Sequence, residues 1–138
     1  MDGRKCLYYF TLLLGLSCRS RPENTPNAPI QSTTIQWIDS NLALGNIAMG
    51  DTALIGFRFR NTGDHPLVIR QIQTDCSCSS STGPEQPVLP GDTGTIHLRF
   101  DTRKSITGSF FKQAQVTANT APKDHFILRY KGEITGHR

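Results

Sequence analysis

Hydrophobic and polar residues alternate along several stretches of this chain, with the period of two that is typical of half-buried β-strands. The clearest example is residues 51–60. Phe57 and Phe59 share one parity there, and Arg58 and Arg60 share the other. Because successive side chains of a strand point to opposite faces, the pattern predicts that the Phe pair faces a core and the Arg pair faces water.

The same alternation predicts further strands on both sides of this segment. Residues 33–39 are rich in β-branched and aromatic side chains, which favours a first strand. The parity breaks between Ile69 and Ile72, which predicts a bulge or bend. At least one of Phe110 and Phe111 is expected to be buried. The other inward positions are predicted at Ile55, Leu67, Ile69, Ile96, Leu98, Phe100, Ala114, Val116, Ala118, Phe126, Leu128, Tyr130 and Ile134.

Turn signals separate these strands. Residues 61–64 (Asn-Thr-Gly-Asp) tolerate the backbone angles of a tight turn, and residues 90–92 (Pro-Gly-Asp) favour another. Residues 41–45 are predicted to continue the first strand, 45–50 to hold a bend and 79–94 to form a loop. Helical periodicity fails everywhere after the first eighteen residues. The prediction is therefore an all-β fold, an immunoglobulin-like antiparallel β-sandwich of about seven strands.

Composition supports this fold and narrows the classes of function. Only 36% of the 138 residues are hydrophobic, so the core must be thin, which suits strands that need every second residue to be apolar. The formal charge of +4 comes from scattered Lys and Arg residues, whereas nucleic-acid-binding proteins cluster them, so no nucleic acid is expected as a partner. The sequence has no phosphate-binding loop, no Gly-x-Ser-x-Gly nucleophile elbow and no pair of carboxylates. Neither an enzyme activity nor a small-molecule substrate is expected.

The N-terminal segment has the organisation of an export signal. A positively charged start precedes an uncharged, mostly apolar run over residues 6–16, which is shorter than the roughly 20 residues that a membrane-spanning helix needs. Residues 14–18 (Leu-Gly-Leu-Ser-Cys) resemble the bacterial lipobox, in which the cysteine is lipidated, with Gly15 where Leu is usual. We predict a signal peptide over residues 1–18 and lipidation at Cys18. The alternatives are a plain secretory signal cleaved nearby and an uncleaved anchor.

The segment that follows is predicted to be a disordered tether. Residues 19–29 are polar, contain three prolines and have no apolar period. The globular domain is predicted to occupy residues 30–138. Because two or more acyl chains hold a protein firmly on a membrane, lipidation of Cys18 would anchor this domain in the cell envelope, facing the periplasm or the cell surface.

Residues 57–69 closely resemble a sequence motif of a family of bacterial envelope proteins, the family called domain of unknown function 1573. Its members are immunoglobulin-like sandwiches related to the major sperm protein and the ASPM/SPD-2/Hydin domains. The family pattern continues with two cysteines one residue apart, matched by Cys76 and Cys78, and with a Pro-Gly turn before a strand that ends in Phe-Asp, matched by residues 90–91 and 100–101. The resemblance implies the fold and an envelope location. The family has no established reaction, so the resemblance implies no catalytic residue.

Cys76 and Cys78 carry the only concentrated chemistry of the sequence. Cysteines of exported proteins tend to be oxidised, and a bond between residues two apart is predicted to be strained, with a Cα separation away from the usual value of about 5.5–6 Å. Such a bond would be reduced easily and could serve thiol redox. Two free thiols could instead bind a soft metal such as Cu(I) or Zn(II), with nitrogen ligands from His65, His97 or His125. In the purely structural alternative, one thiol packs at the edge of the sandwich and the other is exposed without a chemical role.

The sequence assigns no metal or cofactor. Two cysteines fall short of a four-ligand zinc site, and His97 is predicted to face solvent, where isolated histidines are usually polar residues rather than ligands. The expected function is a non-catalytic, envelope-tethered interaction or structural module, whose protein partner binds at exposed strand edges or end loops. The alternative is a small thiol-redox or soft-metal-binding protein that uses Cys76 and Cys78.

Overall fold

A computed structural model describes residues 29–136 of the chain. The predicted signal peptide, Cys18 and the tether up to residue 28 lie outside the described residues. No helix within the described range is long and apolar enough to span a bilayer. The elements are β1 (Ile35–Trp37), β2 (Asn41–Ala48), β3 (Thr52–Asn61), β4 (Ile69–Thr74), β5 (Ser79–Thr82), β6 (Thr93–Asp101), a short 3-10 helix (Thr102–Lys104), β7 (Gly108–Ala118) and β8 (His125–Thr135).

The strands form two four-stranded sheets, with the orders β1-β3-β6-β5 and β2-β8-β7-β4. The predicted all-β, immunoglobulin-like sandwich is confirmed, with eight strands where the sequence suggested about seven. The strand pairs are antiparallel except for β2 and β8, which run parallel. This pair is an exception to the antiparallel pairing predicted for the sandwich.

Two segments differ from their predicted structure. Residues 41–48 form a strand of the second sheet, because the chain leaves the first sheet after Trp37 and then runs beside β8. They are not a continuation of the first strand followed by a bend. Residues 79–82, predicted to lie in a loop, form β5 at the edge of the first sheet, where they pair with β6. An edge strand made of Ser and Thr needs no apolar alternation, so the sequence pattern gave no sign of it.

The alternating residues meet between the two sheets, as predicted. Phe57 and Phe59 are fully buried, while Arg58 and Arg60 are exposed. Burying one such apolar side chain contributes about 1.5–3 kcal/mol, so this row supplies much of the stability of a thin core. The other buried apolar residues are Ile55, Leu67, Cys78, Val88, Ile96, Leu98, Phe100, Ala114, Val116, Ala118, Leu128, Tyr130 and Ile134.

Strands β4 and β7 show two details that matter for the site. The register of β4 against β7 shifts between Ile69 and Gln71, which confirms the predicted bulge. On β7, Phe110 is half-buried and packs against Tyr130, with 6.4 Å between ring centroids. Phe111 points the other way and is 55% exposed. One Phe therefore packs on the core, while its neighbour stands on the outer face of the second sheet.

Candidate functional site

Cys76 and Cys78 lie in the connection between β4 and β5 and are joined by a disulfide. Their Cα atoms are 5.2 Å apart, inside the range of ordinary disulfides. The predicted departure from the usual Cα separation is therefore wrong. Cys78 is buried and Cys76 is half-buried, so the pair packs against the end of the core. The thiol-redox alternative stays a prediction, without support from this arrangement.

Ser79 ties the disulfide to the second sheet. Its Oγ lies 3.7 Å from Cys76 Sγ and 3.9 Å from Cys78 Sγ, and it shares a 2.5 Å hydrogen bond with Tyr130 Oη. Burial raises the pKa of the Tyr130 phenol, so the hydroxyl stays protonated at neutral pH. Thr74 Oγ1 donates to the carbonyls of Cys76 and Ser79. These contacts fix the position of the loop, and no sequence pattern singled out Ser79.

A groove of about 530 Å³, the disulfide groove, opens beside this loop. Its walls come from the connection between β4 and β5 (residues 75–78, the disulfide loop), the end of the 3-10 helix with the connection after it, the first half of β7 and Ile134 of β8. Two of its apolar lining residues are exposed, Ile106 at 86% and Phe111 at 55%. The lining residues are Cys76, Ser77, Cys78, Lys104, Ser105, Ile106, Ser109, Phe110, Phe111, Lys112 and Ile134.

A second depression of about 200 Å³, the β2 groove, lies on the other side of Phe111. Strand register explains it, because Phe111, Lys131 and Ala43 are neighbours across β7, β8 and β2. The small side chain of Ala43 leaves space at the end of this row. Arg129 stands one row further along and closes the groove together with Asn41. Phe111 thus forms a ridge between two recesses.

The charged residues that line the two grooves are all basic. Lys104 and Lys112 line the disulfide groove, and Arg129 and Lys131 line the β2 groove. Within residues 29–136, no carboxylate lines either groove. We call the two grooves, with Ile106, Phe111 and these four basic residues, the Phe111 surface.

Three carboxylates lie near the Phe111 surface without lining its grooves, and two of them bind groups outside the surface. The Arg103 side chain hydrogen-bonds Asp101 and lowers the pKa of that carboxyl to about 2, with a smaller contribution from the charge of Lys104. Asp75 accepts a hydrogen bond from the backbone N–H of Gln113. Glu133 is exposed beside Ser109 on the same outer face. The ion pairs found in the described segment are Arg58–Asp39, Arg103–Asp101 and His125–Asp124, so they leave the four basic residues of the surface unpaired.

The strand edges, the other expected binding element, are each interrupted or short. β1 has three residues and β5 has four. The register of β2 shifts between Ala43 and Asn46, and that of β4 shifts between Ile69 and Gln71. Short edge strands and bulges are the features by which natural sheets resist pairing with another chain. The edges are thus less suited to a partner than the Phe111 surface.

The histidines considered as metal ligands are not gathered around the disulfide. His65, His97 and His125 are exposed, as predicted for His97, and His125 pairs with the adjacent Asp124 at 2.6 Å. His137 lies outside the described residues. Between residues 29 and 136, no group of three or more His, Cys, Asp or Glu side chains is placed to hold a metal ion.

Comparison with known families decides the affiliation of the chain. Residues 35–134 match the family described as "Protein of unknown function (DUF1573)". The chain belongs to this family. No curated protein matches the sequence of this DUF1573 protein.

Solved structures share its fold at low sequence identity. A protein of unknown function from Porphyromonas gingivalis W83 aligns with a TM-score of 0.66 and 17% identity, over 80% of this chain and 51% of that chain. The ASH/PapD-like domain 7 of human CEP192 aligns with a TM-score of 0.58 and 10% identity, over 82% and 93%. The YadV chaperone aligns with a TM-score of 0.51 and 17% identity, over 75% and 52%.

These similarities establish the fold of the DUF1573 protein and nothing finer. The chain spans about half the length of the P. gingivalis protein. Parts of two secreted proteases from Vibrio cholerae also align, over 23% and 31% of their chains. Because this fold occurs both in a chaperone and in parts of proteases, the fold alone does not assign an activity.

Proposed function

We propose that this DUF1573 protein is a non-catalytic protein-interaction module of the bacterial cell envelope, and that it binds its protein partner at the Phe111 surface. One observation carries the proposal. Ile106 and Phe111, two large apolar side chains, stand exposed beside grooves whose charged residues are all basic. An exposed apolar group with a polar rim and adjoining recesses is typical of a protein-binding site.

The location of the surface supports this proposal. It includes an end loop of the sandwich, one of the two elements expected to bind a partner, and the interrupted or short edges leave it as the better candidate. The surface also rests on a rigid base, because the hydroxyls of Ser79 and Tyr130 hold the disulfide loop against β8. A preformed surface loses little conformational entropy on binding. The fold likeness to the YadV chaperone agrees with a protein partner.

The envelope location is proposed from the N-terminal sequence. Residues 1–18 resemble a lipoprotein signal that ends at Cys18, and residues 19–29 have the composition of a tether. Each buried CH₂ of an acyl chain contributes about 0.8 kcal/mol to membrane binding. Lipidation of Cys18 would therefore hold the domain at the membrane surface and leave the Phe111 surface free to meet envelope proteins.

Replacing the proposed lipidation site tests this location. Cys18→Ser is expected to release the protein from the membrane fraction into the soluble envelope fraction or the medium, because the acyl chains are no longer attached. Cell fractionation with immunoblotting measures the shift, and mass spectrometry of the wild-type N-terminus identifies an acylated Cys18. Cys6→Ser is the matched control, since it lies inside the leader that cleavage would remove. An unacylated wild-type N-terminus, or a wild-type chain that keeps its leader, would contradict the proposal; a Cys18→Ser chain held by an uncleaved leader is recognised by its greater mass.

Site-specific photo-crosslinking in intact cells tests the interaction. A photo-reactive amino acid in place of Ile106 is expected to form adducts with specific envelope proteins, because this side chain stands at the proposed interface. The same amino acid in place of Leu54 is the control, since Leu54 is 80% exposed and lies on β3, in the other sheet. Adducts from position 106 should disappear when Phe111→Ser is added. Identical adducts from both positions, or none from position 106, would reject the Phe111 surface as the binding site.

A further inference from the structure

We propose that the Phe111 surface binds an extended, acidic segment of its partner, in which carboxylates flank an apolar side chain. This inference rests on the proposed function and specifies the chemistry of the partner. It is drawn from the arrangement of one apolar ridge between two basic grooves.

The shape of the surface favours an extended segment. Neighbouring strands of a sheet lie about 4.8 Å apart, so the row from Phe111 through Lys131 to Ala43 spans roughly 10 Å across three strands. Consecutive residues of an extended chain advance about 3.3 Å, so a few residues suffice to cross this row. One apolar side chain can then pack against Ile106 and Phe111, while the side chains two residues before and after it, which point to the same face, reach into the grooves.

The charges of the surface favour an acidic segment. The disulfide groove supplies two ammonium groups, Lys104 and Lys112, and the β2 groove supplies Lys131 and the Arg129 guanidinium. A guanidinium can hold a carboxylate with two parallel hydrogen bonds. Lys104 is already oriented by its contact with the carbonyl of Ser77, at 3.4 Å. Charge pairs at such an exposed rim speed association and set specificity, and salt weakens them.

A protein segment fits this surface better than an anionic membrane does. Membrane-surface binding needs an apolar face that enters the headgroup layer beneath a basic rim. Here recesses of about 530 and 200 Å³ lie on either side of the exposed Phe111. The interface of a bilayer would leave these recesses unfilled, whereas the side chains of a peptide can occupy them.

Fluorescence anisotropy with defined peptides and the purified full chain tests the inference. The probe is a labelled synthetic peptide in which Glu, Phe and Glu stand at every second position with Ser between them, so that all three side chains share one face of the extended chain. Its counterpart carries Lys in place of Glu. The acidic peptide is expected to bind at least about tenfold more tightly, because like charges would repel the counterpart. Added salt should weaken its binding. The double variant Lys112→Glu with Lys131→Glu should weaken binding by about tenfold or more.

A charge-matched variant makes this result specific. Arg60→Glu with Arg70→Glu changes the net charge equally, at exposed positions outside both grooves. It is expected to leave the affinity within about twofold of wild type, since solvent and salt screen exposed charges away from the site. Circular dichroism verifies that each variant is folded. Equal binding of the two peptides, or equal losses in the two double variants, would overturn the inference.

Two further outcomes separate the inference from the function on which it rests. Binding to phosphatidylglycerol vesicles that depends on Phe111, without binding to the acidic peptide, would overturn the inference in favour of a membrane partner. Adducts from position 106 that require Phe111 but are unaffected by Lys112→Glu with Lys131→Glu would preserve the proposed function and reject the acidic segment. Loss of those adducts in the double variant, but not in Arg60→Glu with Arg70→Glu, would support both.

Discussion

Replacing Asn61 with Ala is expected to lower the free energy of unfolding by about 3 kcal/mol, which is large for a single side chain of modest size. Asn61 ends β3 and is fully buried. Its Nδ2 donates to the carbonyls of His65 and Val88, at 2.8 Å each. Its Oδ1 accepts from Thr33 Oγ1 at 2.9 Å and from the backbone N–H of Gly63 at 3.1 Å.

The size of this effect follows from the groups that Ala would leave behind. A buried donor or acceptor without a partner costs about 1–3 kcal/mol. Asn61→Ala removes four hydrogen bonds. They join three parts of the chain, namely the residues just before β1, the bend after β3 and the segment around Val88. Asn61→Asp keeps the volume but replaces the amide donor with a carboxylate that faces two carbonyls. It should therefore destabilise the fold at neutral pH at least as much as Ala does.

Urea-induced unfolding of the full chain, followed by circular dichroism, measures both variants. Asn41→Ala serves as the control, because Asn41 is exposed and its side chain bonds only to the adjacent Ser40 within the described structure. Its effect should stay within about 0.5 kcal/mol. An effect of Asn61→Ala equally small would show that this hydrogen-bond network does not stabilise the fold.

The importance of Asn61 was only partly visible in the sequence. The motif that begins at Asn61 predicted a tight turn over residues 61–64, because Asn and Gly are frequent where the backbone reverses. The structure has the end of β3 at Asn61 and a bend over residues 63–65. That local preference does not predict the hydrogen bonds of Asn61 with Thr33 and Val88, which are 28 and 27 residues away in the sequence. Side-chain hydrogen bonds between residues so far apart form only when the sheets are packed. The alternation of hydrophobic and polar residues therefore does not predict them.

The fold was more predictable than the candidate site, for a related reason. Burial on one face of a strand imposes alternation, so the inward residues of β3 and β6 could be assigned directly. β5 has only Ser and Thr side chains, and the parallel pairing of β2 with β8 is set by the path between the sheets. Neither leaves a periodic signal. The sequence therefore predicted the core and missed these edges.

The Phe111 surface illustrates the same limit. Adjacent Phe110 and Phe111 must lie on opposite faces of a strand, so the sequence showed that one of them could reach a core. It did not show that the other would stand between Lys131 and the disulfide groove, since that neighbourhood joins β7, β8, β2 and two loops. The cysteines drew attention to chemistry, while their structural effect is to form one wall of a groove.

The second large effect is expected at Gly94, where Ala should lower the free energy of unfolding by about 3 kcal/mol. Gly94 is buried on β6 directly opposite Phe59. A Cβ at this position would lie 2.5 Å from Phe59 Cζ and 2.8 Å from Val88 Cγ2. The Phe59 ring has little room to retreat, since it is fully buried and packs against Trp37 with 5.4 Å between ring centroids.

A glycine in the same strand pair supplies the control for this prediction. Gly56 on β3 is exposed, and its added Cβ would meet Thr95 Cγ2 at an ordinary 3.4 Å. Gly56→Ala should leave stability unchanged or raise it by up to about 1 kcal/mol, because Gly is entropically costly within a strand. Urea unfolding of both variants separates a steric effect in the core from a general effect of losing glycine.

The cause of the Gly94→Ala effect can be tested by making room for the new methyl group. Phe59→Leu removes the ring atom with which the Cβ would collide. Leu should therefore cost less in the Gly94→Ala background than in the wild-type background, and a double-mutant cycle measures this coupling, expected at about 1 kcal/mol or more. Additive effects would mean that the clash with Phe59 is not the source of the instability. Coupling would establish that the missing side chain of Gly94 is what allows Phe59 to fill the core.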